Sequence, residues 1–325
     1  MKNKNTKLGS FYVKFKDYAG LLLGFLILCA FFSLATPTFL KSSNIMNVLR
    51  QISTNAIMAY GMTFVLLQGG IDLSMGSMVS FASILSATLV AGGSMPVWLV
   101  VVLCMAAGAA LGFVNGFIIN KTGIWPFIVT LATSLVIGGL AYLISGGTPV
   151  RVLNEAFNQI GNGYIGPVAL PIVYMFVLLL ISWVVLHQTR FGRHVYAIGG
   201  NPDAAKFSGI NALMVSVVCY MIAGVMASFT GVFLTARMYT GQPTLGANMV
   251  NDAIASTVVG GTSMAGGKGR IVGTLIGAML IGVISNGMNL LGLSSYLQDI
   301  AKGLIILGAV YIDAVSTKKL SQNGK

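Results

Sequence analysis

Long stretches of this chain carry almost no formal charge. Between Arg50 and Lys121 the one charged residue is Asp72, and none occurs at 122–150, 156–189, 207–236 or 271–298. Each interval holds one or more apolar runs of about 20 residues, the length at which a helix crosses the hydrocarbon core of a bilayer. Only 8% of the residues are charged and the mean hydropathy is +0.86, against roughly 25% charged residues in ordinary soluble domains. The 41 glycines, with abundant Ala and Ser, suit helices that pack backbone to backbone. The expected fold is all-α, a polytopic membrane helix bundle.

Apolar blocks and their breakers predict ten spans, at 19–39, 47–69, 74–91, 97–120, 124–145, 168–188, 212–236, 250–265, 271–291 and 297–313. An even number puts both termini on one side, and basic residues mark the cytoplasmic side of a membrane protein. On this layout Lys2, Lys4, Lys7, Lys14, Lys16, Lys121, Arg190, Arg193, Lys206, Lys268, Arg270, Lys318, Lys319 and Lys325 lie inside. Lys41, Arg50, Arg151 and Arg237 lie outside, and Lys302 sits within the last span. Both termini are therefore expected in the cytoplasm. The chain divides into a basic tail at 1–18, a permeation domain at 19–313 with an inner loop at 189–211, and a second tail at 314–325. The lysines before the run at 19–35 give it the look of a signal peptide, but it leads into Thr36-Pro37 without a small-x-small cleavage site and is expected to remain as a span.

The net charge of +12 is spread over short loops and tails rather than gathered in one patch, so orientation in a membrane explains it better than nucleic-acid binding. Cys29, Cys104 and Cys219 lie in apolar spans without metal-ligand spacing and are expected to be packing residues. No metal site and no catalytic residue is expected. His187 and His194 have no carboxylate partner or H-E-x-x-H, no G-x-S-x-G elbow occurs, and Gly266-Gly267-Lys268-Gly269 lacks the spacing and Ser/Thr of a phosphate loop. Trp98, Trp125 and Trp183 lie near span ends, as interfacial anchors do.

The most polar interior segment is Thr189–Ile210. Within it Asp203-Ala204-Ala205 followed by Gly209 has the spacing of the E-A-A-x-x-x-G signature of membrane subunits of ATP-driven importers, with Asp for Glu. Such a sequence predicts a short helix capped near Asn201-Pro202, small residues that admit a partner's surface, and a glycine that turns the chain back to the membrane. The bland reading is an ordinary basic, helical inner loop.

Over its whole length the chain resembles the permease subunits of bacterial sugar-importing ATP-binding-cassette transporters, the ribose-type branch in particular. The likeness rests on Asn55–Ala59, Gly70–Ser74, Thr189–Arg193, Ala197–Asn201 and Ser208–Asn211. It continues through Asp252–Ala255, Val259–Thr274, Asn286-Gly287, Asn289–Gly292 and Ser294–Tyr296. The resemblance implies a permease that works as a homodimeric pair in the bacterial inner membrane. A periplasmic or lipid-anchored sugar-binding protein would stand above it and an ATP-binding-cassette ATPase below. ATP and Mg would be held by that ATPase, with no cofactor on this chain. Arg190, Gly192, Arg193, Asp203, Ala204, Ala205 and Gly209 are the expected ATPase contact. A self-sufficient, gradient-driven secondary transporter is the alternative.

A hydroxyl-rich solute needs neutral donors and acceptors along its path. Asn55, Gln68, Asn115, Asn248, Asn286 and Asn289 are candidates, each equally able to serve as a hydrogen bond between helices. Asp72 is a candidate because an ionisable group near a span is costly to bury, or else a cap of the next helix. Asp299 and Lys302 stand at i, i+3 and are expected to pair. Glycine pairs at 69–70 and 260–261 suggest broken helices in two related halves.

Overall fold

The computed structural model describes residues 5–323; Lys2, Lys4 and Lys325, assigned to the basic tails, lie outside the described residues. Thirteen helices follow one another among the described residues: α1 Asn5–Ala35, α2 Ser42–Leu67, α3 Met75–Ala91, α4 Val97–Thr122, α5 Pro126–Ser145, α6 Glu155–Asn162, α7 Leu170–Gln188, α8 Arg190–Gly200, α9 Pro202–Phe207, α10 Ala212–Met238, α11 Met249–Val259, α12 Ile271–Leu290 and α13 Ser295–Asn323. Ten of these fall on the ten predicted apolar blocks, and α6, α8 and α9 lie between blocks. Six helices are long and apolar enough to cross a membrane by length and composition: α1 from Tyr18, α4, α5, α7, α10 and α12. The all-α expectation needs one amendment. Val150–Arg151 (β1) pairs antiparallel with Thr240–Gly241 (β4), and Tyr164–Ile165 (β2) pairs with Val168–Ala169 (β3).

The bundle is built from the inside out. In α2 every residue from Ile52 to Leu67 is buried, and most of α10, α11 and α12 is buried with it. By contrast α4, α5 and α7 expose one apolar side, with Trp98, Leu135, Leu143 and Leu180 strongly exposed, as expected of helices facing lipid. Lipid offers helices no hydrophobic incentive to associate, so close packing must do it. Gly108, Gly112 and Gly116 make one stripe on α4 at four-residue spacing, and a Cβ on each would overlap α10 at Gly224, Tyr220 or Val217. Without side chains in the way, the two backbones touch.

Two helices are interrupted as the glycine pairs suggested. α2 stops at Leu67, and the chain runs irregularly through Gly69, whose φ is +84°, before α3 begins at Met75. α11 stops at Val259 rather than near 265, because Gly261 turns at φ +90° and 260–270 is irregular. With 11 residues and a rise of 1.5 Å each, α11 is only about 16 Å long, half a bilayer core. The loop before it, 242–248, runs along α3: Gln242 N–H donates to Ser83 Oγ at 3.0 Å and Gly246 N–H to Ser80 Oγ at 3.0 Å. Backbone groups outside helices need other partners when buried, and these serines supply two of them.

Candidate functional site

The segment between α7 and α10 is locally over-determined. Thr189 Oγ accepts from Gly192 N–H at 3.2 Å, Asn201 Oδ1 from Ala204 N–H at 2.9 Å and Asn211 Oδ1 from Met214 N–H at 3.0 Å. Each of α8, α9 and α10 thus starts on a side-chain cap, worth about 1 kcal/mol apiece. Pro202 opens α9 and Gly209 follows it at φ +80°, so the helix–turn expected from Asn201-Pro202 and Gly209 is present. Arg190, Arg193, Asp203 and Ala204 are exposed; Gly192 and Ala205 are buried. Of the two small residues expected to let a partner's surface come close, Ala204 is exposed, whereas Ala205 is 4% exposed and packs into the protein. Its neighbour Phe207, which sequence reasoning passed over, is 91% exposed at the tip of α9. A phenylalanine at the end of a predicted polar helix was the one available signal.

Three glycine pairs converge behind this loop. Gly267 N–H donates to Leu67 C=O at 2.8 Å, which joins the break after α2 to the break after α11. Gly199, near the end of α8, sits against the same Leu67 carbonyl and Gly267 N–H so tightly that a Cβ would overlap both. Gly266 lies on Gly69 and Gly199 in turn. Tyr196 Oη donates to Gly269 C=O at 2.9 Å. Burial pushes its phenol up to about 12 against the pull of Arg270, with Tyr18 raising it slightly, so it is a neutral donor at physiological pH. The segment between α7 and α10 therefore bears directly on both broken helices.

The predicted pathway residues separate into groups. Asp72 is fully buried; its Oδ1 accepts from Ser74 N–H at 2.9 Å and Ser74 Oγ–H at 2.5 Å, and Asn115 Nδ2 donates to Ser74 Oγ at 2.8 Å. This knot fixes the entry to α3. Asn286 exchanges two hydrogen bonds of 3.0 Å with Asn44, and Asn289 accepts from Gln298 at 2.7 Å; both are helix-to-helix ties. Gln68 caps the end of α2. Asn55 and Asn248 belong elsewhere. Asn55 lines a cavity of about 240 Å³ with Gln51, Thr54, Arg237 and Asp252. Asn248 lines an adjoining one of about 300 Å³ with Asn251, Asp252, Asp299 and Lys302. Asp252 is common to both. The expected Asp299–Lys302 pair is not the one formed: Lys302 Nζ lies 3.0 Å from both carboxylate oxygens of Asp252, across from α13 to α11. A carboxylate on the facing helix offers better geometry than one on the same helix, and spacing along the sequence cannot reveal it.

Residues 44–310 match the family described as branched-chain amino acid transport system / permease component. The chain is 46% identical over 296 residues to the ribose import permease protein RbsC of Bacillus subtilis (strain 168), covering 90% of this chain and 92% of the relative. It is 40% identical over 327 residues to the protein of the same name from Haemophilus influenzae, covering 98% and 100%. With the D-allose transport system permease protein AlsC of Escherichia coli (strain K12) it shares 35% over 293 residues, 90% of each chain. No solved structure matches. The chain belongs to the permease-component family of branched-chain amino acid transport systems.

Proposed function

We propose that this chain is the membrane-spanning permease subunit of an ATP-driven importer, in a bacterial inner membrane, for ribose or a similar monosaccharide. The observation that carries the reading is the likeness to ribose import permeases, which runs almost end to end. The chain would hydrolyse nothing itself. A partner ATPase would hold ATP and Mg, a sugar-binding protein would deliver cargo at the outer face, and a second permease copy would complete the path.

The ten-span layout with both termini inside is supported by the parity of the contacts. Loops assigned to the inner side, at Leu67–Gly70, Gly199-Gly200 and Gly266–Gly269, meet one another. Segments assigned to the outer side do likewise: β1 pairs with β4, and Arg50, near the outer end of α2 on this layout, hydrogen-bonds Tyr164. On this layout the exposed face of α8 and α9 points into the cytoplasm. Arg190, Arg193, Asp203, Ala204 and Phe207 are the surface offered to the ATPase, while Gly192, Ala205 and Gly209 set the shape of that surface. Closure of the ATPase pair pushes this loop, and the joint at Gly199 carries the push to the breaks after α2 and α11. Those helices then exchange outward and inward access.

The test is co-purification. A tagged chain extracted gently from its native membrane is expected to bring down an ATP-binding-cassette ATPase, and Phe207→Asp is expected to abolish the recovery while the permease itself remains folded. Wild-type chain that emerges alone, under conditions that keep other importer complexes intact, would defeat the proposal.

A further inference from the structure

We propose that the cavity between α2, α10 and α11 is a sugar subsite on the translocation path: the Asn55 amide oxygen accepts a hydrogen bond from one hydroxyl, the Arg237 guanidinium donates to a neighbouring one, and Asp252 closes the wall. The proposal rests on the sugar-permease reading above.

Asn55 stands at the middle of α2, a 26-residue helix, well away from both ends. It is 9% exposed; its Nδ2 donates to Ser256 Oγ at 2.8 Å, and its Oδ1 makes no hydrogen bond. An orphaned buried acceptor costs about 1–3 kcal/mol in protein interiors, so a residue whose sole task was to tie α2 to α11 would be a poor choice: a serine or threonine would make that bond and leave no carbonyl over. The cavity beside it also holds Gln51, Thr54, Arg237 and Asp252. Ionisable side chains within a span are rare, and they mark substrate paths when they line a cavity; Asp252 falls inside the span expected at 250–265, and Arg237 just past the one expected at 212–236. Here Asp252 lies in the first turn of the half-length helix α11, the kind of broken helix that places transport sites within the membrane. Lys302 holds its carboxylate from the other side.

The chemistry of the lining selects the class of ligand. An anion could satisfy Arg237 but has no proton to give the Asn55 oxygen. A cation would be repelled by Arg237, and an apolar solute would leave every one of these groups unpaired. A neutral polyol has hydroxyls that both donate and accept, and neighbouring hydroxyls match an acceptor beside a donor.

Proteoliposomes holding the complete importer, with the ATPase and sugar-binding partner, and radiolabelled D-ribose as the probe, provide the test. Asn55→Leu keeps much of the side chain's size and removes its hydrogen bonds; it should lower ATP-driven uptake about tenfold while binding-protein-stimulated ATP hydrolysis persists. Ser256→Ala deletes the same interhelical bond but leaves the Asn55 oxygen, and uptake should stay near the wild-type rate. Arg237→Met, on a different helix, should reproduce the loss with Arg237→Lys recovering part of it, so the question is answered even if Asn55→Leu fails to assemble. Wild-type uptake in Asn55→Leu and Arg237→Met, or an equal loss in Ser256→Ala, would overturn the subsite and leave the importer reading standing. A wild-type complex that accumulates no ribose would instead bring down the cargo assignment, and the subsite with it.

Discussion

Asp72 poses the sharpest question among single residues, because a lone acid amid some seventy uncharged positions can be a proton carrier or a structural pin. Its neighbours favour the pin: one carboxylate oxygen accepts two hydrogen bonds from Ser74, and Asn115 donates to the same Ser74 hydroxyl, while the second carboxylate oxygen has no partner among the described residues. Asp72→Asn preserves an acceptor oxygen and should leave transport near wild type. Asp72→Leu strands the Ser74 N–H in the interior and should cost about 1–3 kcal/mol, read as a lowered melting temperature in detergent. Loss of transport in Asp72→Asn with unchanged melting would favour a proton relay. Composition made Asp72 visible as an oddity, yet its partners became clear only once α4 was seen to bring Asn115 beside it. Asp252 and Lys302 make the same point from the other side. Each was in view, but fifty positions apart they could be joined only by the packing of α11 on α13.

Secondary-structure elements were far more legible. Uncharged runs and glycine breaks located most helix ends to within a few residues, because a membrane span must be long, apolar and helical to satisfy its backbone. The misjudged boundaries are the end of α11, where apolar residues continue past the glycines that end the helix, and the terminal ends of α1 and α13, which run on to Asn5 and Asn323 through charged residues beyond the apolar blocks expected at 19–39 and 297–313. The glycine pairs at 69–70, 199–200 and 266–267 could be seen in the sequence, but not that they meet. That meeting predicts the behaviour of Gly199→Val. A side chain there would overlap backbone atoms of Leu67 and Gly267, so α8 must lift off the joint. ATP hydrolysis by the assembled complex should continue while sugar uptake falls, in a paired assay of the two rates. Gly209 is different: nothing lies within 4 Å of where its Cβ would be, and its φ is +80°. Gly209→Asn, which tolerates that conformation, should be close to neutral, whereas Gly209→Val should cost about 1–2 kcal/mol from backbone strain alone and loosen α9.

The whole molecule is a bundle whose buried centre mixes apolar side chains with scattered Asn, Ser and Thr, and whose α4, α5 and α7 turn apolar side chains outward. Its topology can be checked with single cysteines. Phe207→Cys at the tip of α9 should react with an impermeant thiol reagent only in inside-out vesicles, and Leu153→Cys, 88% exposed beside β1, only in right-side-out ones. Equal labelling from one side would break the ten-span layout. If this chain moves sugar only as part of an ATP-driven machine, ribose enters proteoliposomes when ATPase, binding protein and ATP are all supplied, and does not enter when the chain alone faces a proton or sodium gradient. Gradient-driven accumulation by the isolated chain would contradict it.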